Sequence, residues 1–212
     1  MANRVAFFAS KEDIEKLFSL DTENEEFFEA HYNITPGQQL PVVVMGNEKD
    51  LFEINQVRWG GSANSKAEKT TLHSSEIKAA LDDKKLQRCV LPLSGFYVWK
   101  DDKQKEQPFF VRMLDSSIMS VAGVIESDDN GEFVRIVTME SNPLIQPMSE
   151  NMPLLLDRVT AIQWLQPDSD PKHVLESAKN LYLLTDLSVL RVSKKVNDPS
   201  NNDPKLIQPI PK

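Results

Sequence analysis

The chain has 212 residues, which suits one domain, because a single core grows to roughly 200–250 residues before chains split. Hydrophobic residues make up 40% and charged residues 26%, a balance too apolar for disorder and ordinary for a soluble globular protein. The formal net charge of -8 argues against a grip on nucleic acid over the whole surface, since neutralising phosphates needs Lys and Arg; a local basic groove remains open.

Lys11–Leu20 reads as a short helix, with Ser10 as N-cap and Ile14, Leu17 and Phe18 at helical spacing. Acidic Asp21–Glu29 reads as loop or a helical turn. Gln39–Gly46 reads as a buried strand closed by the turn pair Gly46-Asn47, and Phe52–Trp59 as a second strand. Ser75–Leu81 follows as a helix. Arg88–Leu93 and Gly95–Trp99 are expected strands, with Asp101-Asp102-Lys103 as a hairpin tip. Phe109–Met113, Ile118–Ile125 and Phe133–Thr138 continue the pattern, with a turn at Ser127–Gly131. Thr160–Trp164 and Asp170–Asn180 read as helices and Val189–Val196 as a late strand. Asn197–Lys212, rich in Pro, Asn and Asp, is expected to be a surface tail that packs through Leu206 and Ile207. Many short strands with helices outside them imply an α+β fold of mainly antiparallel sheets. Without internal repeat or low-complexity linker, residues 1–212 read as a single domain.

No apolar run approaches the roughly 18 residues that cross a bilayer as a helix, and Met1-Ala2-Asn3-Arg4 does not open a secretory signal. The one cysteine, Cys89, lies in an apolar strand pattern and reads as a buried structural thiol. A lone thiol fits a reducing cytoplasm, and the three scattered histidines offer no metal-ligand spacing, so no metal and no cofactor are expected. Trp59, beside two glycines, is a candidate for lining a cleft and stacking a base; Trp99 reads as a core aromatic.

Several segments, in order, resemble one family. They are Met1–Arg4 with Phe7–Ser10, Tyr32-Asn33-Ile34-Thr35-Pro36-Gly37, Arg58-Trp59-Gly60 with Asn64–Glu68, and Arg88–Pro92 with Gly95-Phe96-Tyr97-Val98-Trp99. Asn142, Met148–Pro153, Val192–Asn197 and Asp203–Ile207 complete the set. Together they are similar to the SOS-response-associated peptidase (SRAP) family. The resemblance implies an antiparallel-rich α+β domain with a barrel-like core, peripheral helices and a central, positively charged cleft. It also implies a chemistry. An N-terminal cysteine, exposed by loss of Met1, captures the aldehyde of an abasic site in single-stranded DNA as an imine and then a thiazolidine. A glutamate, an asparagine and a histidine assist, and self-removal of residues before the cysteine accounts for the family's name.

The resemblance maps these roles onto positions that have diverged. The nucleophile position holds Ala2, the glutamate position Val98 and the histidine position Ser149, while Asn64 is kept. Arg4, Asn33, Pro36, Arg58, Trp59, Lys66 and Asn151 fall where the resemblance implies DNA contacts, the last two in place of arginines. A relative with lost or reduced crosslinking chemistry is therefore expected, a monomer that binds single-stranded DNA weakly. Two alternatives stand beside it: a non-catalytic binding module that uses the altered cleft for another ligand or protein, and an active member in which only the cysteine has been exchanged for Ala2.

Overall fold

The computed structural model describes residues 3–18, 20, 28–46, 51–61, 69–82, 86–102, 105–181 and 186–211. Strands dominate, in the order β1 (Val5–Phe7), α1 (Lys11–Glu15), β2 (His31–Ile34), β3 (Gln39–Met45), β4 (Phe52–Trp59), β5 (Thr71–His73), α2 (Ile77–Asp82), β6 (Gln87–Leu93), β7 (Gly95–Asp102), β8 (Lys105–Met113), β9 (Met119–Asp128), β10 (Gly131–Glu140), β11 (Asn151–Pro153), β12 (Leu155–Leu156), α3 (Arg158–Leu165), α4 (Pro171–Leu181) and β13 (Leu187–Arg191). Two short 3-10 turns follow, at Lys194–Asn197 and Pro204–Ile207.

The larger sheet closes on itself. β10 runs parallel to β4, β4 pairs with β3, β3 with β6, β6 with β9, and β9 returns to β10. This ring is the barrel-like core expected for the family resemblance. The apolar runs explain it. Leu40-Pro41-Val42-Val43-Val44 of β3 and Cys89-Val90-Leu91-Pro92-Leu93 of β6 are buried at every position, so both faces of these strands are covered. On the outside of β6 and β9 the cover is α3, whose Trp164 Nε1 donates to the carbonyls of Cys89 at 3.0 Å and Gly123 at 3.2 Å. Gly123 is needed there: a Cβ would stand 2.4 Å from Leu91 Cδ1. Arg88 lies over the Trp164 ring at 5.5 Å and donates to the carbonyls of Gln166, Pro167 and Ser169.

The smaller sheet, in the order β13-β8-β7-β1-β2, is antiparallel throughout. The chain passes into it from the barrel at Ser94, whose Oγ accepts from Phe8 N at 2.8 Å and whose N–H donates to Ala6 O at 2.9 Å. Tyr97, Phe110, Ala6, Val192, Val196 and Leu206 form a second buried cluster on this sheet. The last stretch of chain is thus laid across the sheet as a strap and packs through Leu206, at 2% exposure, and Ile207, as expected.

Several boundaries differ from expectation for physical reasons. The first helix stops at Glu15, because Phe18 turns inward to meet Phe52 edge-on at 5.6 Å and Leu20 bridges to Phe52. Ser10 does cap it, in a reciprocal capping box with Asp13. The late strand ends at Arg191, and Ser193 caps a 3-10 turn in place of further pairing. β1, β2, β5, β11 and β12 span two to four residues each, too short to show an alternation in sequence.

Candidate functional site

β1 begins beside a cavity of about 460 Å³ lined by Asn3, Arg4, Trp99, Glu106, Met148 and Asn197. Five segments build it. β1 pairs with β7 in the register Val5↔Phe96, and Tyr97 N donates to Arg4 O at 3.0 Å, which fixes the lead into the strand. Trp99 comes from β7 and Glu106 from β8, across the same hairpin. Asn197 ends the first 3-10 turn of the strap, and its side-chain oxygen accepts from Trp99 Nε1 at 2.9 Å. Met148 comes from the turn after β10, a segment pinned by Asn142, whose Oδ1 accepts from Ile145 N at 3.0 Å.

Arg4 ties these pieces together. Its guanidinium donates to Asn33 Oδ1 and to the Asn197 carbonyl, each at 3.2 Å. Burial lowers its pKa from the ordinary arginine value, against the opposing pull of Asp198 and then Tyr97; an arginine still stays charged. The cavity therefore carries a fixed cation and an indole, the pair of groups that suits a phosphate beside a base. Beneath it, Tyr97 is fully buried and its hydroxyl donates to Tyr32 O at 2.7 Å; burial raises its phenol pKa, with Arg4 acting the other way.

The residues singled out in the sequence divide into three groups. Ala2, Asn64 and Lys66 lie outside the described residues. Arg4 lines the cavity, and Ser149 adjoins Met148 of its lining. The Ser149 hydroxyl is occupied, donating to Asn151 O at 2.6 Å, while Asn151 itself sits half-buried on β11 opposite Glu140. The third group is placed elsewhere. Val98 is 1% exposed and belongs to the main core, so it presents nothing to a ligand. Trp59 has no exposed surface; its Nε1 donates to Thr70 O at 2.9 Å, and its ring offers no face on which a base could stack. Arg58 is committed to Asp128 at 3.2 Å and lies over Phe133. Pro36 is exposed in the turn before β3, where Gly37 adopts φ +94° and its N–H donates to Trp59 O.

Asn33 also changes role. It is fully buried, and its Nδ2 donates to the carbonyls of Val196 at 3.2 Å, Asp198 at 2.9 Å and Asn201 at 3.1 Å. It holds the strap and orients Arg4, and has no group left for a nucleotide. Trp99, expected as a core aromatic, packs half-buried against the second cluster and also lines the cavity, beside Asn197 and Glu106. Glu106 lies among polar residues with no mark of its own in the sequence, whereas Asn197 closes the Val192–Asn197 segment that carries the resemblance.

Cys89 is wholly buried in β6, and burial raises its thiol pKa above the ordinary value. Among the described residues, no group of three His, Cys, Asp or Glu side chains converges, and no helix is long and apolar enough to cross a membrane.

A family profile described as SOS response associated peptidase (SRAP) matches residues 1–199. The chain is similar to abasic site processing protein YoqW of Bacillus subtilis, with 26% identity over 230 residues, 98% of this chain and 99% of that protein. It is 24% identical to abasic site processing protein YedK of Escherichia coli over 99% of this chain and 100% of that protein. Among solved structures, a protein from Bacteroides thetaiotaomicron shares the fold with a TM-score of 0.77 at 17% identity, over 98% of this chain and 99% of that one. A phage-related protein from Bordetella bronchiseptica does so with a TM-score of 0.67 at 17% identity, over 91% and 94%.

Proposed function

Because the chain belongs to the SOS response associated peptidase (SRAP) family, we propose that it acts at abasic sites in single-stranded DNA through the cavity at the start of β1. The observation that carries this reading is the meeting of Arg4, Trp99 and Met148 around that cavity, from three separate parts of a chain whose relatives are abasic site processing proteins. Arg4 supplies charge for a phosphate and Trp99 a surface for a base or for the gap where one is missing.

The chemistry is reduced relative to a cysteine enzyme. A thiazolidine needs an amine and a thiol on one residue; position 2 is alanine, and the chain's one thiol, Cys89, is sealed in the barrel wall. What remains is the α-amine. With Met1 removed it belongs to Ala2, and an N-terminal amine, with a pKa of about 7.7–8.0, is partly neutral at physiological pH. Such an amine forms a reversible imine with the ring-opened sugar aldehyde, without the second bond that would make the adduct stable.

The test is a crosslinking gel on single-stranded DNA carrying one abasic site, with the N-terminus of the protein verified by mass. Wild type is expected to give an adduct only when borohydride is present. Ala2→Cys is expected to give one that survives heating without reductant. Binding that is absent for both proteins, or equal for abasic DNA and a duplex of the same length, refutes the reading. Ala2→Cys is the variant of choice because Val98→Glu would bury a carboxyl in the core.

A further inference from the structure

We infer that Glu106 is the catalytic acid–base of this cavity, a role that rests on the abasic-site reading above. The hairpin register places it. Asp101 pairs with Glu106 and Trp99 with Pro108, so Glu106 falls two residues from the partner of Trp99. Directly opposed residues share a face, and so do residues two apart, which sets Glu106 on the Trp99 face of the sheet. Val98 belongs to the other face and is buried there.

Imine formation makes a specific demand. The amine nitrogen bonds to the aldehyde carbon and must give up both of its protons, while the carbonyl oxygen must gain two. The first makes the oxygen a hydroxyl, and the second lets it leave as water while the nitrogen lone pair closes the C=N bond. One carboxyl group can serve both steps, taking the proton from nitrogen and returning it to the departing oxygen, with no net proton consumed and no oxidant required. Of the residues that line the cavity, Asn3 and Asn197 are amides, Trp99 and Met148 exchange no proton near neutral pH, and Arg4 stays charged. Among the described lining residues, Glu106 alone can cycle. It is also free of the obvious alternative role, since the groups that act on Arg4 are Asp198 and Tyr97. The amine it would serve lies one residue before Asn3 in the chain, and Asn3 is itself in the lining.

The experiment measures two quantities on the full chain with the abasic oligonucleotide: the rate of borohydride-trapped adduct and the equilibrium affinity. Glu106→Gln keeps the size and removes the proton exchange. It is expected to slow trapping on the order of 10²-fold, the lower end for loss of a general acid–base. Affinity should hold or rise, because a negative charge beside phosphates is removed. Glu106→Asp should recover part of the rate. Trapping by Glu106→Gln at the wild-type rate overturns the assignment, and so does a variant that loses affinity and rate together, or a rate that Asp does not recover when thermal unfolding shows the variant folded. Wild-type protein that binds the abasic strand but traps nothing removes the role of Glu106 and leaves the abasic-site reading in place. Protein that binds nothing removes both.

Discussion

Arg4 sits at a junction rather than on an open surface, and this sets what its removal should do. Arg4→Ala deletes one phosphate-directed charge and leaves Asn33 Oδ1 and the Asn197 carbonyl without their donor. Abasic-strand binding should weaken at all salt concentrations, and the slope of log K against log salt should fall by about 0.7, the value for one contact to a single strand. Asn33→Leu should cost more in stability than in binding. It strands three strap carbonyls, and each unsatisfied buried group costs about 1–3 kcal/mol; a urea titration reads the loss directly. His31 gives a pH signature. Burial, the larger effect, lowers its pKa from 6.5 while Glu29 opposes, so the unfolded chain binds the proton more readily than the folded one. The sign follows: stability contributed by neutral His31 is present above the unfolded value and is lost as the pH falls through and below it. His31→Gln should flatten the stability profile just below about pH 6.5, which urea titrations at several pH values check. Cys89 should remain unreactive toward a thiol reagent in the native protein and react once denaturant opens the barrel.

At the scale of elements, the β7–β8 hairpin carries the site, and its root is Gly95. A Cβ there would stand 2.3 Å from Phe110 Cζ and 2.5 Å from the Val111 carbonyl. Gly95→Ala should therefore destabilise by about 1–3 kcal/mol, as overpacking does, and should shift the two site residues that the hairpin presents; the unfolding midpoint checks it. The same elements show what the sequence made readable. β3, β4 and β6 announce themselves as apolar runs or alternations because barrel strands bury long stretches on one or both faces. β4 begins and ends where the pattern of Phe52–Trp59 does. The short strands that complete each sheet carry no such signal, since their position depends on partners far away in the chain. The site divides along the same line. Arg4 stands in a segment that carries the family resemblance, and it lines the cavity. Trp59 is sealed in the core, while Trp99 packs on the second cluster and also faces the cavity, because a tryptophan's face is decided by which layer its strand joins, and only the three-dimensional register supplies that. Glu106 sits among polar residues at a hairpin end and looks like solvated charge until its strand is paired with β7.

The whole molecule is held by a closed barrel and a strapped sheet, and the two are not equally self-sufficient. The barrel's strands run from β3 to β10 and close among themselves. The smaller sheet depends on residues from both ends of the chain: Ala6 from the beginning, Tyr97 and Phe110 from the middle, and Val192, Val196 and Leu206 from the end. Truncation after Arg191 should strip this second cluster of half its members, lower the unfolding midpoint and abolish abasic-strand binding while the barrel's secondary structure persists; circular dichroism and a binding titration together check this.

Arg4 reaches Asn33 near the start of the chain and Asn197 near its end. On a chain that emerges from its amino terminus, the first residues of the site are made almost two hundred positions before the last. An incomplete chain can hold the beginning of the cavity but cannot close it. A chain that stops short of Asn197 therefore lacks the acceptors that hold Arg4 and Trp99 on that side, and the cavity stays open there.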